Sequence, residues 1–213
     1  MLPTRFRYIA VEGPIGVGKT SLARRLADAT GGDLLLENPD DNPFLARFYG
    51  DKKRYALQTQ LFFLLARTEQ TARLSQAGLF SPVTIADFLI EKDPLFARLN
   101  LDDTEVAIYQ KIHADMAPKA PTPDLVIYLQ APSSLLAERV RRRGRIYERN
   151  LPESYLADLA RLYSEFFYHY DSSPLLIVNS ENLNFADKTA DFELLLKRLN
   201  DMRGAREFFN LGT

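Results

Sequence analysis

Short apolar runs alternate along this chain with longer stretches in which apolar residues recur every three or four positions. The runs occupy residues 6–11, 34–36, 83–86, 125–129 and 175–178. Each is too short for a helix and is nearly continuous, as strands covered on both faces are. Helical spacing falls between them, over residues 19–27, 52–77, 103–117, 133–142 and 152–170, and again over 186–199 after the fifth run. Strand and helix in regular alternation predict an α/β fold of three layers, a five-stranded parallel sheet with helices on both faces. Pro and Gly mark the joints, at Gly31 and Gly32, Pro39 and Pro43, Pro118, Pro121 and Pro123, and residues 172–174. No repeat, low-complexity tract or long linker divides the chain, so a single domain over residues 1–213 is expected.

The turn after the first run carries the strongest chemical signal. Gly13, Pro14, Ile15, Gly16, Val17, Gly18, Lys19 and Thr20 spell GPIGVGKT, which matches G-x-x-x-x-G-K-[ST]. A strand pattern, FRYIAV, leads in and a helix pattern, SLARRLAD, leads out. Glycines let such a loop wrap so that its N–H groups converge on phosphate oxygens at a helix N-terminus. Lys19 then faces the β- and γ-phosphates, and the Thr20 hydroxyl can ligate Mg²⁺. A Gly-rich turn that merely precedes a helix is the plain alternative, and the matching flanks weigh against it. A GTPase would need a guanine-reading N-K-x-D after a later strand. Here the fourth run continues as YLQAPSS and the fifth as IVNSENLNF, so a small-molecule kinase that takes its phosphoryl group from a Mg²⁺-bound nucleoside triphosphate is the expected P-loop class.

Composition narrows the partners. Formal net charge is −1, which gives the chain as a whole no electrostatic footprint for nucleic acid or anionic lipid. Cysteine is absent, which excludes disulfides, thiolate metal sites and thiol nucleophiles. No stretch reaches the roughly 18 consecutive apolar residues of a membrane span, and the N-terminal run is short for a signal peptide. A cytoplasmic protein is expected.

Two further residues stand out by position. Glu37 follows the second run, at the carboxyl edge of a strand beside the phosphate loop, where a carboxylate can take the proton of an attacking hydroxyl. A solvated loop acid is the alternative. Gln60 shares a helical face with Ala56, Phe63, Leu64 and Arg67. An amide among apolar side chains needs partners, and either nearby backbone or a nucleobase edge would supply them. His113 and His169 lack a second ligand at metal spacing and read as structural. Tyr163, Phe166, Phe167 and Tyr170 read as a helix core face. Phe208 and Phe209 can dock either on the domain or on a partner subunit.

GPIGVGKT, the EN/P step after the second run, RYALQTQLFFLLAR, YLQAP, and RVRRRGR followed by YLADLARLY stand in an order that resembles the deoxynucleoside kinase family. The resemblance spans residues 8–184. It implies a P-loop kinase fold, transfer from ATP to a deoxynucleoside 5′-hydroxyl, and a homodimer. It also implies that Glu37 is the general base, that Gln60 and Arg67 read the base, and that Tyr49 and Glu148 hold the sugar 3′-hydroxyl. Arg139, Arg143 and Arg145 match the working arginines of a lid over about residues 139–149, with Arg141 and Arg142 solvated. The basic run is short and lies in a neutral protein without interleaved aromatics, which disfavours a nucleic-acid patch. The NSENLNF loop resembles the segment bordering the donor's adenine. Rival readings are a nucleoside monophosphate kinase and a slow nucleotide-binding regulatory module. The former would need an additional basic group for the acceptor phosphate, and the family's usual arginine after strand three is missing; a pure binder needs no acceptor-side base.

The family usually carries an acid followed by arginine after strand three. Here the run reads TIADFLIEKDPLFA, and neither ungapped nor shifted alignment supplies the arginine. The shifted alignment puts Asp87 at the acid, beside Thr20, where it can hold Mg²⁺ or its waters. A helix N-cap is the competing role for Asp87. The missing charge falls to Arg67 or Lys92, or else the acceptor is not an ordinary deoxynucleoside.

Overall fold

The computed structural model describes residues 5–76, 82–116, 121–149 and 151–211. In chain order the elements are β1 (Tyr8–Glu12), α1 (Lys19–Thr30), β2 (Asp33–Leu35), α2 (Leu45–Gly50), α3 (Lys52–Gln76), β3 (Thr84–Ala86), α4 (Asp93–Asn100), α5 (Asp103–Met116), β4 (Leu125–Gln130), α6 (Ser133–Arg143), α7 (Glu153–His169), β5 (Leu175–Asn179), α8 (Thr189–Asp201) and β6 (Arg206–Phe209). Short 3₁₀ turns at Pro39–Asp41, Ile90–Lys92 and Ile146–Glu148 join some of them. The helix ends expected at Ala77 and Ala117, and the joint at Pro118, lie outside the described residues.

The strands form one parallel sheet in the order β2-β3-β1-β4-β5-β6. Side-chain alternation sorts the core into two faces. Ile9, Val11, Leu125, Ile127, Leu129, Leu176 and Val178 point to one face, where α1, α6 and α8 cover them. Ala10, Val126, Tyr128, Leu175 and Ile177 point to the other, against α4 and α7. On α1, Leu22 and Leu26 are fully buried one helical turn apart, worth about 1.5–3 kcal/mol each.

Among the described residues, six strands replace the expected five. β6 pairs with β5 from Leu175↔Arg206 to Val178↔Phe209. This edge strand shows the alternation of exposed and half-buried positions that one covered face produces. Phe209 packs on the core and Phe208 stays exposed. Two helices were also unforeseen, α2 and α4. α4 begins with Asp-Pro, and Pro at the start of a helix costs nothing because its missing N–H has no partner there.

All strands point the same way, so the carboxyl ends of β1, β2 and β3 open onto one edge. That edge receives Gly13, Glu37 and Asp87 from three separate segments. β1 lies between β3 and β4, at the crossover where such sheets open a crevice for ligands.

Candidate active site

The loop between β1 and α1 is shaped by close approach. A Cβ on Gly13 would stand 2.5 Å from the Leu129 carbonyl oxygen, and one on Gly16 would stand 2.8 Å from that of Leu136. Both residues also have positive φ, 152° and 84°, so glycine is required at each on two counts. Lys19 folds back over the loop and donates from Nζ to the carbonyls of Gly13 (2.7 Å) and Pro14 (3.2 Å). Burial lowers the Lys19 pKa, with Glu12 opposing that effect and Lys92 adding to it.

Asp87 ties three segments together. Its carboxylate accepts from the Thr20 hydroxyl at 2.5 Å and from the Glu37 backbone N–H at 2.7 Å. Burial raises its pKa against those two hydrogen bonds. The following 3₁₀ turn and α4 have no side-chain cap, so the helix-cap role is not the one this carboxylate fills.

Glu37 stands two residues beyond β2 with a cation on each oxygen. Arg67 donates to Oε1 through Nε (3.0 Å) and Nη2 (2.6 Å), and Lys92 donates to Oε2 at 3.2 Å. Burial pushes the Glu37 carboxyl up, but Arg67 and then Lys92 outweigh it and hold the pKa down to about 2. Arg67 and Lys92, the two cations expected as alternatives, thus both bring positive charge to Glu37. Arg67 also pairs with the buried carboxylate of Asp93.

Glu12 was not singled out in the sequence. It is the last residue of β1 and is fully buried, and its carboxylate accepts from the N–H of Gly13 (2.9 Å) and Leu89 (2.6 Å) and the hydroxyl of Tyr163 (2.8 Å). Lys92 reaches it at 3.4 Å. Tyr163 therefore does more than fill a helix core face. Its hydroxyl is a site group, with a pKa raised by burial and by Glu12. An acid closing an otherwise apolar strand immediately before the glycine loop was the available signal.

Two cavities meet at this network. One, of about 420 Å³, is lined by Glu37, Tyr49, Gln60, Arg67, Asp87, Lys92 and Glu148 among others. The second, of about 740 Å³, runs along the phosphate loop, Arg139 and the 181–186 segment. Gly16, Lys19, Thr20, Arg143 and Arg145 border both. The remaining candidates divide between them. Gln60 is buried in the first cavity's wall, and its Nε2 has no hydrogen-bond partner. Tyr49 stacks on Tyr147 with centroids 5.8 Å apart and an interplanar angle of 9°. Burial raises the Tyr49 pKa, with Tyr155 and then Glu148 adding to it.

The basic run is engaged rather than free. Arg143 binds the buried Glu148 carboxylate at 2.6 and 2.7 Å, and Arg145 pairs with Asp40 at 3.2 Å. Tyr147 also donates to Asp40, so the segment after α6 is fastened to the loop that follows Glu37. Arg139 donates to the carbonyls of Val17 (3.1 Å), Ser180 (2.9 Å) and Leu183 (3.4 Å), pinning the phosphate loop to the NSENLNF segment. Arg141 and Arg142 are exposed, and Arg142 borders the second cavity. Among the described residues no cluster of three or more His, Cys, Asp or Glu groups could hold a metal unaided. His113 lies against Tyr109. No helix among the described residues is long and apolar enough to cross a membrane.

Comparisons with known proteins find relatives over most of the chain. A family model described as deoxynucleoside kinase matches residues 9–202. The deoxyguanosine kinase of Bacillus subtilis (strain 168) is 32% identical over 92% of this chain and 97% of its own length. The deoxyadenosine kinase of Lactobacillus acidophilus is 30% identical over 96% and 99% respectively. Among solved structures, a deoxyadenosine kinase from M. mycoides with products dCMP and a flexible dCDP bound superposes with a TM-score of 0.81 at 26% identity, covering 92% of this chain and all of that one. The same enzyme with bound dATP gives 0.80 at 25% identity, covering 91% and 99%.

Proposed function

This chain belongs to the deoxynucleoside kinase family, and from that premise we propose how its residues carry phosphoryl transfer from ATP to a deoxynucleoside 5′-hydroxyl. One observation carries the reading. Two cavities meet at Lys19 and Thr20, with the carboxylate of Glu37 lining one side and the arginine-bordered segment the other. The first cavity takes the acceptor and the second takes the donor.

The nucleobase lies against Gln60, whose unpartnered Nε2 needs an acceptor, and Arg67 stands one heptad further along α3. Tyr49 and Glu148 hold the sugar hydroxyl. Residues 139–149 act as a lid in which Arg143 and Arg145 exchange Glu148 and Asp40 for phosphate oxygens, a trade that the bidentate guanidinium makes readily. Arg139 fixes the donor wall. The acceptor oxygen forms a bond to the γ-phosphorus as the bond to the β-phosphate oxygen breaks. The hydroxyl proton passes to Glu37, and ADP leaves. Loop N–H groups, Lys19 and the lid neutralise the charge on the transferring group, so the chain works by positioning and electrostatics.

The Thr20 hydroxyl and the Asp87 carboxylate fit Mg²⁺, which is commonly held by one or two protein oxygens together with substrate phosphates. When bound, the ion would neutralise charge on the β- and γ-phosphate oxygens.

The whole chain is one catalytic domain. It acts in the cytoplasm as a homodimer, supported by exposed Leu65 and Ile108 on the neighbouring helices α3 and α5. Nucleic acid is not a partner, which the net charge of −1 supports.

The test is steady-state ADP release over a deoxynucleoside panel, with 5′-deoxy analogues alongside. The reading expects the analogue of the best substrate to inhibit competitively without turnover. An analogue that releases ADP as fast as the nucleoside would sink the acceptor assignment.

A further inference from the structure

β3 leads into Asp87-Phe88-Leu89, and both apolar residues are fully buried, so no cation reaches the reacting centre from that segment. The next turn, Ile90–Lys92, supplies one. Lys92 is only 2% exposed, and its ammonium lies between Glu12 Oε2 at 3.4 Å and Glu37 Oε2 at 3.2 Å. The two acids differ in kind. Glu12 is fixed from three sides by Gly13, Leu89 and Tyr163, away from solvent. Glu37 borders the acceptor cavity and its side chain is 18% exposed.

A carboxylate with a cation on each oxygen is a poor proton acceptor, so for Glu37 to act as base one cation must let go. Arg67 grips Oε1 with two N–H groups and is itself held by Asp93. Lys92 is a compact charge on a flexible stem, with a single contact to Glu37 and a second acid to retain it. It also lines the cavity that Lys19 and Thr20 border.

We propose that Lys92 is a catalytic cation of the transfer step: anchored by Glu12, it leaves Glu37 for an oxygen of the transferring phosphoryl group, and its departure makes Glu37 a competent base. This rests on Glu37 being the base of the kinase reaction. Lys92 stays an ammonium throughout. The hydroxyl proton goes to Glu37, the new bond joins the acceptor oxygen to phosphorus, and the bond to ADP breaks. Negative charge that develops on the phosphoryl oxygens during transfer is what draws the ammonium across. The charged and titratable groups facing Glu37 are Arg67 from α3, Lys92 from the 3₁₀ turn, Asp87 from the β3 exit and Lys19 from the phosphate loop. Behind them stand Glu12 from β1, Asp93 from α4 and Tyr163 from α7.

Lys92→Met and Lys92→Arg test this with two readouts. Turnover in Lys92→Met should fall by ~10²–10³-fold, the usual cost of removing one donor to a developing charge. The affinity for ADP with aluminium fluoride, magnesium and nucleoside, a mimic of the transferring phosphoryl group, should weaken by a similar factor. ATP and nucleoside, measured separately by calorimetry, should bind as in wild type. Lys92→Arg should recover at least part of both losses. Should Lys92→Met not fold, the Glu12→Gln/Lys92→Met pair removes both buried charges and takes the same measurements. Lost turnover with undiminished affinity for the mimic would overturn the phosphoryl contact, and unchanged turnover would overturn the proposal entirely. A wild-type enzyme that phosphorylates no deoxynucleoside would instead sink the kinase reading beneath it, so the two failures are distinguishable.

Discussion

Glu37→Gln removes the proton acceptor while keeping its shape, and the surrounding contacts set what should follow. The amide oxygen can still accept from Arg67, which leaves the amide N–H₂ facing the Lys92 ammonium, donor against donor. Arg67 keeps Asp93 and Lys92 keeps Glu12, so neither cation is abandoned. Breaking a buried pair outright costs about 3–5 kcal/mol; with a second acid on each cation the expected loss is smaller, ~1–3 kcal/mol. For a chain of this length that lowers Tm by ~2–12 °C, at roughly 2–4 °C per kcal/mol. Turnover should fall by ~10²–10⁴-fold. Nucleoside affinity should hold within a few fold, because the contacts proposed at Gln60, Tyr49 and Glu148 lie elsewhere in the cavity.

Acid stability supplies a signed control. The Glu37 carboxyl is held down to about 2 in the folded chain, against about 4.3 in an unfolded one. Its stabilisation is therefore complete above about pH 4.5 and fades as pH falls toward 2. The stability gap between wild type and Glu37→Gln should close over that window. The assay is steady-state kinetics with calorimetric nucleoside binding and thermal melts across pH. A folded variant with turnover within threefold of wild type would refute the base assignment. Collapsed binding with normal turnover of bound substrate would make Glu37 a binding residue.

Lys19→Met should lose most of its turnover while retaining its fold by circular dichroism, because the lysine acts on charge that develops during transfer; wild-type turnover would remove the phosphate-loop assignment. Gln60→Leu should move two quantities in opposite directions. Removing a buried amide whose Nε2 has no partner should raise Tm, while affinity for the preferred nucleoside weakens by ~1–3 kcal/mol and base discrimination blurs; a lower Tm with unchanged selectivity would show that the amide serves the fold. Asp87→Asn keeps one acceptor for the Thr20 hydroxyl or the Glu37 N–H but not both, so ~1–3 kcal/mol of stability should go. The magnesium concentration for half-maximal rate should rise as well, and an unchanged magnesium titration would leave Asp87 a structural tie only.

Elements whose signal is local were legible before the fold was known. Ile9 to Val11 and Leu125 to Leu129 are buried on both faces and read as continuous apolar runs, and the phosphate loop announces itself by spacing. β6 escaped because its outer positions are exposed and an edge strand need not be apolar throughout. α2 is six residues long, too short for a period to emerge. At the site, Glu37, Gln60 and Asp87 were visible as polar residues in telling places. Of the ion network only a cation from Arg67 or Lys92 was anticipated, because its contacts join distant parts of the chain. Glu12 meets Leu89 across 77 positions, and Glu37 meets Lys92 across 55. Tyr163 illustrates the same limit: helical periodicity identifies its buried ring, but only the packing of α7 under β1 gives its hydroxyl a carboxylate. The absent arginine after strand three was a sequence fact that pointed to Arg67 or Lys92, and only the folded 3₁₀ turn showed that both reach Glu37.

Which hydroxyl or phosphate accepts the phosphoryl group decides between a nucleoside kinase and its rivals. Wild-type protein should be incubated with ATP, magnesium and an equimolar mixture of the common deoxynucleosides with their isotopically labelled 5′-monophosphates, and the products separated and weighed. The account predicts unlabelled deoxynucleoside 5′-monophosphates in amounts matching the ADP formed, with the labelled monophosphates unchanged. Labelled diphosphates, or ADP without any phosphorylated nucleoside, would contradict it.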